Sequence, residues 1–143
     1  MAVEEYKTQF KRIIQRRGYG SDKYIDSREE ADILRDCVNE GIPLESAQAV
    51  LREVCHEQGH LLETDIKAKV NMTLKASLSN DGKIDEEEFI QAVRVAMTAC
   101  KNLQDEIYCK RLVARMIEDG EAPIKKGFLS NWFNRVKKEV GLE

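Results

Sequence analysis

The stretch SLSNDGKIDEEEF, residues 77–89, decides how the rest of the chain is read. It has an echo upstream. When GYGSDKYIDSRE (residues 18–29) is laid over SLSNDGKIDEEE (residues 77–88), Asp22, Ile25, Asp26 and Glu29 fall on Asp81, Ile84, Asp85 and Glu88. Similarity in a fixed register is the mark of an internal repeat. Both copies end in Asp-x-x-Glu, the form of a capping box. The aspartate accepts from an orphan N–H at the start of a helix, and the glutamate three residues on returns the bond. Ile25 and Ile84 stand just before the caps, placed to staple onto the helix that follows.

Residues 77–89 also resemble the second half of an EF-hand calcium loop and the start of its outgoing helix. A hard cation wants about six to eight oxygens, a glycine at the sharp turn and a two-oxygen carboxylate at the end of the loop. In that frame the ligands are the side chains of Ser77, Ser79, Asp81, Asp85 and Glu88, with the Lys83 carbonyl added. Ser77 and Ser79 put neutral hydroxyls where carboxylates usually stand, so calcium or magnesium binding is expected to be weak. The first copy has Gly18 and Gly20 at ligand positions and Lys23 at the turn, and no metal is expected there.

Outward from these two segments, helical periodicity dominates. The first helix is predicted over residues 3–17, with Val3, Tyr6, Phe10, Ile13 and Ile14 on one face. Glu4 and Glu5 at its start and Arg16 and Arg17 at its end suit the helix dipole. A second helix is predicted from Ser27 to Glu40. A third starts at Pro43, runs through Ala47, Val50, Leu51 and Val54, and stops at Gly59. A fourth carries Leu62, Ile66, Val70 and Leu74. The fifth begins near Asp85, the sixth spans Leu103 to Glu118 and the seventh Phe128 to Val140. No alternating strand pattern is visible, so the expected class is all-α.

Adjacent EF-hands would repeat after about 35 residues, the sum of one loop and two short helices. Here Ile25 and Ile84 lie 59 apart. The excess is about one helix with its turns, so each repeat reads as helix, acidic loop, helix, helix. The two triplets cover residues 3–58 and 61–119, a domain of residues 1–122 with expected pseudo-twofold symmetry, followed by a basic amphipathic helix in 123–143.

That arrangement resembles the TerB-like family, named for bacterial tellurite-resistance proteins and similar in being built from two three-helix repeats with DGxIxxxE-type loops. The resemblance covers about residues 3–119. It implies a non-enzymatic module linked to stress response or membrane-associated complexes, with divalent metal suspected at the acidic loops. Lys23, standing where the family has glycine, departs from the pattern.

A competing motif is CHEQGH, residues 55–60, whose His56, Glu57 and His60 have the HExxH spacing of zinc hydrolases. Such a site needs both imidazoles on one helical face, a glutamate beside the metal-bound water and a third protein ligand. Gly59 is a poor helix former and no third histidine exists, leaving Cys55, Glu63 or Asp65 to serve. A zinc hydrolase is therefore the minority reading. The ordinary one makes the histidines polar residues at a helix end.

Hydrophobic residues at 42% and charged residues at 34% describe a soluble globular chain, and its net charge of −3 argues against nucleic-acid binding. Residues from Pro123 onward carry +3 and the rest −6. The opening MAVEEYKTQFKRII is too charged for a secretory signal, so the expected location is cytoplasmic, at most peripheral to a membrane. Cys37 (striped with Ala31, Leu34 and Val38), Cys100 and Cys109 read as buried thiols, since the cysteine separations match no zinc knuckle or redox pair. The C-terminal stripe of Phe128, Leu129, Trp132, Phe133, Val136 and Val140 is expected to pack on the body, or alternatively on a protein partner or membrane surface. No small-molecule substrate is indicated. The functional expectation is a non-catalytic interaction or stress-response module with weak metal binding, with a calcium-sensing EF-hand-like protein as the alternative.

Overall fold

The computed structural model describes residues 3–124 and 131–142. Its elements run α1 (Val3–Arg17), β1 (Tyr24–Ile25), α2 (Ser27–Asn39), α3 (Leu44–Gln58), β2 (Leu61–Leu62), α4 (Glu63–Asp81), α5 (Glu86–Cys100), α6 (Glu106–Asp119) and α7 (Trp132–Glu139). The class is all-α. The chain divides into two compact units, residues 1–65 and 66–143.

In the first unit α1 buries Phe10, Ile13 and Ile14 against Ile33 and Cys37 of α2 and Ala47, Val50, Leu51 and Val54 of α3. Fully buried side chains of this size each contribute about 1.5–3 kcal/mol by leaving water. Glycines punctuate the helices. The Gly18 N–H donates to Gln15 O and the Tyr19 N–H to Ile14 O, both at 3.1 Å. Gly59 N donates to His56 O at 3.3 Å and His60 N to Cys55 O at 2.8 Å. Both pairs are Schellman closures, which need the left-handed conformation seen at Gly18 (φ 73) and Gly59 (φ 74). A two-bond clamp ties α1 to α2: Arg17 Nε donates to Asp36 Oδ2 at 2.6 Å and its Nη2 to Oδ1 at 2.8 Å.

In the second unit α5 buries Phe89, Ala92, Val93 and Ala96, and α6 buries Leu112, Val113, Ala114 and Ile117. Ile66, Val70 and Leu74, the stripe expected of α4, are buried as well. Trp132, Val136 and Val140 of the terminal stripe are buried too, and the Trp132 ring lies 5.6 Å from that of Phe89. Polar bonds fasten α7 to α6: Lys110 to Glu139 at 2.9 Å, Lys137 to Glu118 at 3.0 Å, and Arg111 Nε to the Val140 carbonyl at 2.7 Å. Phe128 and Leu129 fall outside the described residues.

Several expectations need correcting. Two short strands do form, and they pair in parallel with Tyr24 opposite Leu61 and Ile25 opposite Leu62. Two residues per strand give no periodicity to read. On α2 the buried pair is Ile33 and Cys37, while Ala31 and Val38 are exposed. Pro43 caps α3 from outside rather than opening its first turn. The sixth helix starts at Glu106, because Asp105 is its N-cap and Lys101 and Asn102 turn left-handed before it. Most consequentially, α4 continues as helix through Asp81, across the first half of the stretch read as a loop.

Candidate functional site

The two acidic segments form corners with the same local geometry. At the first, Asp22 Oδ1 accepts from the Tyr24 N–H at 3.1 Å; at the second, Asp81 Oδ1 accepts from the Lys83 N–H at 3.1 Å. The next residue is left-handed in both, Lys23 at φ 62 and Gly82 at φ 75. Ile25 and Ile84 follow, each with no exposed surface. Both bridge in parallel to a residue just beyond the third helix of their set: Ile25 to Leu62, and Ile84 to Ile124.

The capping boxes complete the match. Asp26 Oδ1 accepts from Glu29 N at 2.8 Å and Glu29 Oε1 from Asp26 N at 3.1 Å. Asp85 Oδ1 accepts from Glu88 N at 2.8 Å and Glu88 Oε1 from Asp85 N at 3.0 Å. Both caps are extended, at φ −77, ψ 172 and φ −95, ψ 174. Each carboxylate thus spends one oxygen on backbone at a helix start, where four N–H groups lack partners. Burial, the largest influence on Glu29, raises its carboxyl pKa.

The corners differ in what precedes them. Gly18 to Asp22 form turns, whereas Ser77 to Asp81 are the last residues of α4. Ser77 Oγ donates back to Thr73 O at 3.2 Å and Ser79 Oγ to Ala76 O at 2.7 Å. The structure therefore brings Asp85 and Glu88 together in a cap and sets Asp81 against the Lys83 amide, with the two serine hydroxyls bonded to their own helix. Among the described residues no group of three or more His, Cys, Asp or Glu side chains is arranged to hold a metal ion.

The HEQGH segment is taken apart by Gly59. His56 is exposed in the last turn of α3, while His60 lies beyond the helix end. The His60 ring packs on Gly20, so closely that a Cβ there would stand 2.7 Å from His60 Cε1. Its Nδ1 is buried without a hydrogen bond. Burial lowers the His60 pKa; Asp22 opposes that shift and Lys23 adds to it. Glu57 faces elsewhere, accepting from Lys7 Nζ of α1 at 2.8 Å, with Glu53 3.1 Å from the same ammonium. The bond to Lys7 holds the Glu57 carboxyl below its ordinary range, and its partners hold Lys7 above its own.

Two polar contacts of the first corner escaped the sequence reading. Ser27 donates through its N–H, at 3.1 Å, and through its hydroxyl to Oε2 of Glu63, a residue only 9% exposed. Thr64 likewise donates to Glu30. Both join the start of α4 to the start of α2 over more than thirty residues of sequence, a pairing that no local spacing announces.

No helix among the described residues is long and apolar enough to cross a membrane. The chain matches no protein-family model, and no curated protein or solved structure matches it.

Proposed function

We propose that this chain is a non-catalytic helical interaction module whose two acidic corners act first as helix-fixing devices, with calcium or magnesium bound weakly at the second corner. The observation that carries the reading is the reciprocal capping box at each corner. Asp26, Glu29, Asp85 and Glu88 each have an oxygen engaged with backbone before any cation arrives. The uncommitted oxygens of Asp85 and Glu88 leave a small electronegative corner, short of the six or more oxygens that tight calcium binding needs. Duplication of one helix, corner, helix, helix unit accounts for the matched corners. The resemblance to TerB-like proteins supports a stress-linked binding role.

The non-catalytic part of the proposal is supported by the helix end at Gly59, which separates His56 from His60, and by the Lys7–Glu57 ion pair. Titration calorimetry with calcium, magnesium and zinc tests all of it. Weak heats with calcium or magnesium that diminish in Glu88→Gln, together with zinc heats indifferent to His56→Ala, are expected. Micromolar calcium binding would replace the module with a sensor. Zinc binding that vanishes in His56→Ala would restore the hydrolase.

A further inference from the structure

The turn between α5 and α6 holds chemistry that the acidic corners do not use. Cys100 is the last residue of α5 and Cys109 lies in the first turn of α6, nine residues on. Both side chains are 0% exposed, and the Cys109 thiol donates to Cys100 Sγ at 4.0 Å. All four cysteines are thiols in this structure. The antiparallel return of the chain, rather than any sequence motif, brings this pair together.

The connection is strained, although the Leu103 N–H still donates to the Cys100 carbonyl at 2.9 Å. Lys101 and Asn102 have φ 49 and 69, two consecutive non-glycine residues in the left-handed region, where a Cβ crowds its own backbone. The Lys101 N–H reaches Thr98 O only at 3.3 Å. Helix ends of this kind fray at little free-energy cost relative to global unfolding. Release of the last turn of α5 uncovers Cys100 and leaves Cys109 within α6.

We infer that Cys100 and Cys109 are an oxidation site, a dithiol that a low-molecular-weight disulfide such as oxidised glutathione converts into an intramolecular disulfide. Cys100, uncovered by fraying, loses its proton to solvent. Its thiolate attacks one sulfur of oxidised glutathione, forming a mixed disulfide and expelling one glutathione thiolate, which takes up a proton. Cys109 then gives up its proton, and its sulfur attacks Cys100 Sγ and expels the second glutathione. Two protein thiols become one disulfide, and one oxidised glutathione becomes two reduced ones. The sulfurs close from 4.0 Å to about 2.05 Å, which side-chain rotation and a small shift of the loosened α5 end supply.

The order of attack follows from position. Burial, chiefly, pushes the Cys109 thiol up to about 12, so inside α6 it is a poor first nucleophile, because the thiolate is the attacking species. It acts second, on a sulfur already beside it. Cys37 and Cys55 belong to the first compact unit and Cys100 and Cys109 to the second.

The experiment equilibrates the full chain with glutathione at graded ratios of oxidised to reduced form, blocks remaining thiols by alkylation, and maps linked peptides by mass spectrometry. Thiols counted after denaturation are expected to fall from four to two, with a peptide joining Cys100 to Cys109, and to return with excess reduced glutathione. In Cys109→Ala, Cys100 is expected to retain glutathione. In Cys100→Ala, Cys109 should acquire it at least about tenfold more slowly. The wild-type measurement stands whether or not the variants fold. Four intact thiols at the most oxidising ratio, in a chain whose denatured form does cross-link, would overturn the inference. So would linkage through other cysteines, or glutathione arriving first on Cys109.

Discussion

Lys23 and Gly82 stand at matching places in the two corners, two residues before the bridging isoleucines Ile25 and Ile84, and they put the proposed duplication to a measurable test. Lys23 is forced to φ 62 with a full side chain, whereas Gly82 takes φ 75 with none. A non-glycine residue held left-handed costs about 1–3 kcal/mol. Glycine brings a larger loss of unfolded-state freedom, about 0.5–1 kcal/mol. Lys23→Gly should therefore stabilise the chain by about 1 kcal/mol, the difference of the two terms, since the Lys23 carbonyl that accepts from Leu61 N at 2.8 Å is unaffected. Gly82→Lys should destabilise by a similar amount. A Cβ at Gly82 meets nothing within 4 Å, so the backbone term acts alone there. For a chain of this size each kcal/mol moves the thermal midpoint by about 3–4 °C. Urea and thermal unfolding followed by far-ultraviolet circular dichroism read both changes. A Lys23→Gly protein less stable than wild type, or a Gly82→Lys protein unchanged, would show that the corners are not equivalent.

Three further outcomes follow from the same geometry. Asp26→Ala and Asp85→Ala should each lose about 1 kcal/mol by urea unfolding, while Asn at either position recovers most of it. Gly20→Ala should cost about 1–3 kcal/mol, since it combines strain at φ 80 with a contact 2.7 Å from the His60 ring. Gly18→Ala, with open space around it, should lose less. Because burial depresses the His60 pKa, the fold prefers the neutral ring. Its contribution is complete above the ordinary imidazole value of about 6.5 and is lost as acidification protonates the unfolded chain first. The stability gap between wild type and His60→Gln should narrow between pH 7 and pH 5.5, and a gap independent of pH would refute the assignment.

Elements set by local chemistry were legible in the sequence. The bounds of α1, the stop at Gly59 and both Asp-x-x-Glu caps follow from neighbours within four residues. The apolar stripes of α3 and α5 follow from the 3.6-residue period. Features set by distant contacts were not legible. Glu57 looked like a candidate base until Lys7, fifty residues away, proved to be its partner. The Cys100–Cys109 contact depends on the return of α6 along α5, and Ser27–Glu63 on the return of α4 to the first corner. Residues 77–81 were misjudged because Asp81-Gly82 suggests a turn; the helix simply persists until glycine ends it, and Ser77 is buried as part of it. The first partners of Asp26, Glu29, Asp81, Asp85 and Glu88 are backbone amides.

The most direct test follows amide exchange at Glu29 and Glu88 by nuclear magnetic resonance, in chelator and again with calcium. These two N–H groups donate to Asp26 and Asp85 at 2.8 Å. Both are expected to be protected without any cation, and to change little when about millimolar calcium, the range of weak sites, is added. A Glu88 amide that exchanges freely in chelator and becomes protected only with calcium would mean that the ion, not the cap, builds the corner.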